Sequence, residues 1–267
     1  MKRTYITLAC ALALILAGVT TVRSAEEGIK QARATVRASH GKVDYQDTQN
    51  GPWLPVKPNM KFSAGITIRT GPDGSADISV NGNSSAVRMT NNTILQIPTM
   101  SYTGSVREGD TTTMLNLETG TVIGNVKKIS ANSRYEIMTP HGVAGIRGTD
   151  FAVECVPLDN HMFDVTFSSI TGVITVSAVI NGQTVTKTLT TGQSWEIGKD
   201  VRQMRAVLLE YFQQQINFLI QQMLPPPPPP GPRGPNPGTP FPGGSGPPGG
   251  KQPFPGGSGP PQGPPTS

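Results

Sequence analysis

The sequence predicts an all-β fold of many short strands, arranged as a β-sandwich or a β-roll, followed by one amphipathic helix and a disordered Pro/Gly-rich tail. Three observations predict it. From Thr35 to Ile197 apolar residues alternate with the period of two of a strand, and no run keeps a helical period. Turn sequences such as Gly71-Pro72-Asp73-Gly74 and Asn81-Gly82-Asn83 separate these runs, with Pro fixing φ ahead of the bend and Gly or Asn taking the left-handed position. Beyond Gly198 the period changes to three and four, and beyond Leu224 the composition changes to Pro, Gly and Ser.

At the start of the chain, Lys2 and Arg3 precede an apolar run from Ile6 to Val19. That is the length of a secretory h-region and too short for a membrane span. Residues 1–24 therefore read as a signal peptide, with Ser24 and Val22 favouring cleavage before Ala25. Export to the periplasm, the outer envelope or the medium follows, with no membrane span once the signal is removed. Removal of Lys2, Arg3 and Arg23 lowers the formal charge from +5 to +2, which predicts no nucleic-acid partner. Cys10 leaves with the signal, so Cys155 cannot form an intramolecular disulfide and the fold must hold by its core. Cys155 shares its in-facing period with Phe151 and Val153 and reads as a buried apolar thiol.

Residues 25–199 read as the β domain. Strands are expected over Thr67 to Thr70, Ser75 to Val80, Ala86 to Thr90, Thr93 to Ile97, Thr112 to Glu118 and Thr121 to Ile129. Three more follow over Met162 to Ser168, Gly172 to Ile180 and Thr184 to Thr190, with Asn181-Gly182 a strong hairpin signal between the last two. Trp53, among Pro52, Pro55 and Pro58, is a candidate ligand contact, the alternative being a half-buried plug over a sheet edge. Trp195 reads as the close of the last strand against the core.

The stretch from Thr139 to Phe151 is expected to be a tight corner between two strands. Tyr135, Ile137 and Thr139 alternate on one side of it, and Phe151, Val153 and Cys155 on the other. Gly142, Gly145 and Gly148 recur every third residue, but the run lacks the Lys-Ser/Thr ending of a phosphate loop, and no helix follows to face an anion. The corner is therefore expected to be structural, with Thr139, Pro140, Gly142, Gly145, Arg147, Gly148, Thr149 and Phe151 as its signature residues. Arg147 is expected to be held by a carboxylate or by carbonyl oxygens, since an unpaired charge inside a corner is costly.

The run Thr-Pro-His-Gly-Val-Ala-Gly-Ile-Arg-Gly-Thr-Asp-Phe resembles the signature of the FecR domain family. Gly51-Pro52-Trp53, Gly65 to Gly71, Ala76 to Val80, Asn92-Thr93-Ile94 and Leu117-Glu118-Thr119-Gly120 fit in order, so the resemblance covers about residues 34 to 197. It implies a FecR-type β domain that binds rather than catalyses. The best-known relatives are bacterial envelope proteins that relay a signal from an outer-membrane receptor to a sigma factor.

Residues 200–224 read as one helix. Val201, Met204, Leu208, Phe212, Ile216, Leu219 and Met223 lie three or four apart, Asp200 is a suitable N-cap, and Pro225 ends the run. Such a stripe needs a partner, for which docking on the chain's own β domain is favoured over self-association through residues 200–224 and over a membrane. Residues 225–267 hold 19 of the 26 prolines and repeat Pro-Phe-Pro-Gly-Gly-Ser-Gly-Pro-Pro from Pro240 and Pro253, the composition of a disordered spacer.

No triad, paired-acid or metal-ligand spacing is present, and no cofactor is expected; Cys155 and His161 alone are a poor metal site. The main functional reading is an exported, non-enzymatic binding or scaffold module of the cell envelope, with an envelope protein or polysaccharide as partner. The alternative is a component of an envelope signal-sensing system related to FecR regulators. In that reading the signal peptide leads directly into the β domain, without a cytoplasmic sigma-binding segment. A third reading, an envelope hydrolase, would need chemistry around Cys155 and His161.

Overall fold

The computed structural model describes residues 28–80, 85–104, 109–127, 130–159 and 162–224. The signal peptide, the Asn81-Gly82-Asn83 turn, His161 and the Pro/Gly-rich tail lie outside the described residues. In chain order the strands are β1 (Lys30–Gln31), β2 (Ala34–His40), β3 (Val43–Gln46), β4 (Leu54–Pro55), β5 (Lys61–Phe62), β6 (Ile66–Thr70), β7 (Ser75–Val80), β8 (Ser85–Met89) and β9 (Ile94–Tyr102). There follow β10 (Thr111–Val126), β11 (Arg134–Met138), β12 (Gly142–Ile146), β13 (Asp150–Pro157), β14 (Phe163–Thr171), β15 (Val173–Ile180), β16 (Gln183–Thr190), β17 (Gln193–Glu196) and β18 (Arg202–Gln203). One helix, α1 (Ala206–Met223), ends the described chain.

The pairings define two sheets that share one strand. The first sheet runs β4-β3-β6-β9-β10-β11-β12-β15-β16, with β1 beside the far end of β9. The second runs β5-β2-β7-β8-β10-β13-β14-β17-β18. Both runs of pairings end in open edges, so the sheets stack as a sandwich. The expected strands over Thr112 to Glu118 and Thr121 to Ile129 are therefore one element, whose first half belongs to one sheet and second half to the other. Gly120 makes the bend with φ of 92°, and a Cβ there would fall 2.5 Å from Thr93 Cα. Only glycine fits that approach.

Period-two alternation sends one face of each sheet into a shared core. Leu95, Ile97, Leu115, Leu117, Ile137, Ile146 and Val176 from the first sheet meet Val36, Ile78, Met89, Val122, Phe151, Val153, Phe167 and Trp195 from the second, and all are buried. Trp195 Nε1 donates to Lys199 O at 2.8 Å, which satisfies its one buried donor. Cys155 is buried there too, its Sγ donating to Glu118 O at 3.3 Å, and burial pushes its thiol up to about 11.

A second, smaller core lies on the outer face of the second sheet. Phe212 and Ile216 of α1 pack on Ile123, Ala152 and Ile170, with Met204, Leu208 and Leu209 at the margin. The second sheet is thus covered on both faces and the first on one. The helix starts at Ala206 rather than at Asp200, because Arg202–Gln203 pair with Gln193 and Ser194 as an edge strand and Met204 N donates to Gly192 O at 2.8 Å. Arg205 is the cap residue and makes no side-chain capping bond. Val201 and Met204 still face the protein, which is why the apolar period runs unbroken through a change of backbone.

Candidate functional site

The signature stretch carries more structure than a corner. Within it β12 forms a strand of its own between β11 and β15 in the first sheet, so the expected single corner becomes a hairpin turn followed by a crossing between sheets. Thr139 closes the hairpin: its Oγ1 donates to Gly142 O at 2.9 Å and accepts from Gly142 N at 3.1 Å. Pro140 is exposed at the tip, and Gly142 is buried, with Ser177 O 3.1 Å from where a Cβ would sit. Gly145 has an open position, its nearest neighbour being Thr175 O at 3.9 Å. The crossing itself is Arg147-Gly148-Thr149, where Gly148 takes φ of 65°. Thr149 is buried, and its Oγ1 lies 3.1 Å from Arg147 O and 3.2 Å from Val173 O.

Arg147 corrects an expectation. Its side chain is exposed and makes no hydrogen bond or ion pair with the described residues, because the crossing turn aims it at water and hydration replaces the partner expected for it. Phe151 sits in the main core, its ring filling the space where a Cβ on Gly124, its cross-strand partner in β10, would project. Gly124 is therefore the glycine most tightly required by the signature, and it lies outside the motif. Trp53 is half-buried on the outer face of the first sheet, with the Arg69 guanidinium 4.0 Å from its ring centroid and Arg69 in turn bonded to Asp44 at 2.9 and 3.1 Å. One face of its ring is thus already occupied.

A cleft of about 710 Å³ lies between α1 and one end of the second sheet. Its floor is an ion pair. Arg88 and Asp77 face each other across β7 and β8 and make two bonds of 2.7 Å each. Arg88 also donates to Gln215 Oε1 at 2.8 Å and stacks 4.4 Å from the Phe218 ring centroid, so the helix and the sheet hold the same guanidinium. The walls include Ser39, His40, Asp73, Asn91 and Tyr211. Tyr211 and Phe218 keep 46% and 48% exposure although they sit on a docked helix, so aromatic surface is offered to the cleft. Hydroxyl, amide, carboxylate and ring surfaces converge there, which suits recognition. Among the described residues no cluster of three metal-ligating side chains occurs, and no helix is long and apolar enough to cross a membrane.

The described residues form, in class, a two-sheet β domain backed by one helix. Residues 66–167, from β6 into β14, match the family model described as FecR protein. The match lies inside the resemblance read over residues 34 to 197, and it contains both Asp77 and Arg88. None of the curated proteins compared matches the chain. Two crystal structures of a candidate anti-sigma factor from Parabacteroides distasonis are similar to 55% of this chain at 13% identity, each with a TM-score of 0.42. The chain spans 64% of the length of those solved proteins.

Proposed function

We propose that this protein is an exported component of a bacterial envelope signal-sensing system of FecR type, with no catalytic activity of its own. The FecR match over residues 66–167 carries this reading and favours it over the stand-alone scaffold that the sequence suggested first. The cleft under α1 is the surface that would receive a protein partner, since it combines exposed aromatic rings with a charge pair fixed in place. Removing the gene from its native bacterium and comparing transcripts tests the signalling role, and unchanged transcripts would contradict it. Cross-linking from a tagged full-length chain in fractionated cells should recover an envelope protein, and Tyr211→Ala with Phe218→Ala should reduce that recovery while leaving the fold intact. The binding or scaffold module remains a second reading, supported by the same cleft. A polysaccharide recovered without any transcriptional change would favour it.

A further inference from the structure

On the outer face of the second sheet, beside the start of α1 and separate from the cleft, lies a smaller pocket of about 290 Å³. Its floor is made by neighbouring positions of three strands. Glu154 of β13 is the cross-strand partner of Thr166 in β14, and Ser168 of β14 is the partner of Ser194 in β17. Ser168 and Ser194 are buried at 2% and 5% exposure. Neither hydroxyl has a hydrogen bond among the described residues, and neither is sealed from solvent as Ser85 Oγ and Tyr135 Oη are, so both open onto the pocket. Glu154 and Thr166 likewise have no side-chain partner among the described residues, and burial pushes the Glu154 carboxyl above its usual range. Four polar side chains thus line one small space with no hydrogen-bond partner for any of them among the described residues.

The rim has the opposite sign. Arg202 is committed to Glu196, with Nη2 3.3 Å from Oε2, and so does not neutralise Glu154. Arg205 lines the pocket, is exposed, and makes no side-chain bond among the described residues. Leu208 gives the pocket an apolar wall. A carboxyl and hydroxyls at the floor, a free guanidinium at the rim and an aliphatic wall complement a small zwitterion. Its ammonium would be taken by Glu154 and the seryl oxygens, its carboxylate by Arg205, and a short apolar side chain by Leu208.

We infer that this pocket binds the α-ammonium and α-carboxylate head group of an amino acid. The inference is independent of the signalling role, because it rests on the pocket alone. The head group could belong to a free amino acid or to the terminal residue of a side-chain-linked peptide, such as a γ-glutamyl peptide, which keeps both charges on one residue, and the probes separate these sources. Calorimetric titration of the full chain with L-leucine should give a Kd on the order of 1 mM or tighter. Isoamylamine, which lacks the carboxylate, and isocaproate, which lacks the ammonium, should each bind about tenfold more weakly, since each forfeits one charge-assisted contact. Glu154→Gln should abolish the preference for leucine over isocaproate, and Arg205→Ala the preference over isoamylamine. Both substitutions lie at partly or fully exposed positions, and a thermal melt confirms that each variant folds. Tighter binding of γ-L-glutamylglycine than of leucine assigns the head group to a side-chain-linked peptide, and the reverse assigns it to a free amino acid. Absence of binding by both, binding of isoamylamine as tight as that of leucine, or leucine binding unchanged in both variants would overturn the inference.

Discussion

The two sheets carry the same device in two settings. On the first, Asp44 and Arg69 are cross-strand partners of β3 and β6, and Arg69 stacks on Trp53. On the second, Asp77 and Arg88 are cross-strand partners of β7 and β8, and Arg88 stacks on Phe218. The side chains of Arg69 and Asp44 keep 36% and 14% exposure, those of Arg88 and Asp77 only 12% and 4%. The difference is the helix. Trp53 lies within the sheet's own connections, whereas Phe218 and Gln215 come from α1, which closes over the second sheet and removes its ion pair from water. An ion pair in water contributes little, and a buried one becomes costly as soon as either partner is lost. The covered face is therefore where charge and packing are coupled.

The largest expected effect comes from removing the cover. A chain ending at Lys199 exposes Ile123, Ala152 and Ile170 and forfeits the burial of Phe212, Ile216 and Leu219. Three such side chains at about 1.5–3 kcal/mol each amount to a loss on the order of 5 kcal/mol, so denaturant unfolding should show collapse of stability, and the shortened chain should precipitate. Next, Arg88→Ala in the full chain leaves Asp77 buried without a counter-charge and should cost about 3–5 kcal/mol by the same measurement. Gly148→Val should cost more than about 1 kcal/mol because a β-branched residue is strained at φ of 65°, while Gly145→Val, at an open position, should cost less. The smallest effect is expected for Arg69→Ala, at no more than about 1 kcal/mol, reduced further at high salt.

Much of this arrangement was legible in the sequence. The hairpin at Asn181-Gly182 was readable because both turn residues take the left-handed backbone, whereas Gly71-Pro72-Asp73-Gly74 turns without a positive φ at either glycine, closed by Gly74 N donating to Gly71 O at 3.0 Å. The apolar stripe from Val201 to Met223 showed that something must be covered, and the β domain is what it covers. Its beginning was misread because Asp200 offers a cap, whereas the edge of β17 offers backbone partners that a local reading cannot see. The strand β12 was missed for a similar reason. Gly142-Val143-Ala144-Gly145-Ile146 has weak β propensity, and its strand character is imposed by pairing to β11 and β15 on either side. Arg147 was expected to be paired on the premise that the corner is closed, and the crossing between sheets is open to water instead.

The site features were less legible. Asp77 and Arg88 stand at matching distances from a predicted turn, so their pairing had a signal in the sequence, but their burial depends on Gln215 and Phe218 far along the chain. The floor of the small pocket takes Glu154, Ser168 and Ser194 from three strands, each an ordinary outward position when read alone. Gly124 looks like any strand glycine until Phe151 is placed across from it.

α1 is a layer of the domain that holds the second ion pair out of water. Paired double-mutant cycles by denaturant unfolding, one on Arg88 and Asp77 and one on Arg69 and Asp44, test it most directly. A coupling of about 2 kcal/mol or more is expected for Arg88 with Asp77, insensitive to salt, against no more than about 1 kcal/mol, screened by salt, for Arg69 with Asp44. Equal couplings with equal salt dependence would contradict it.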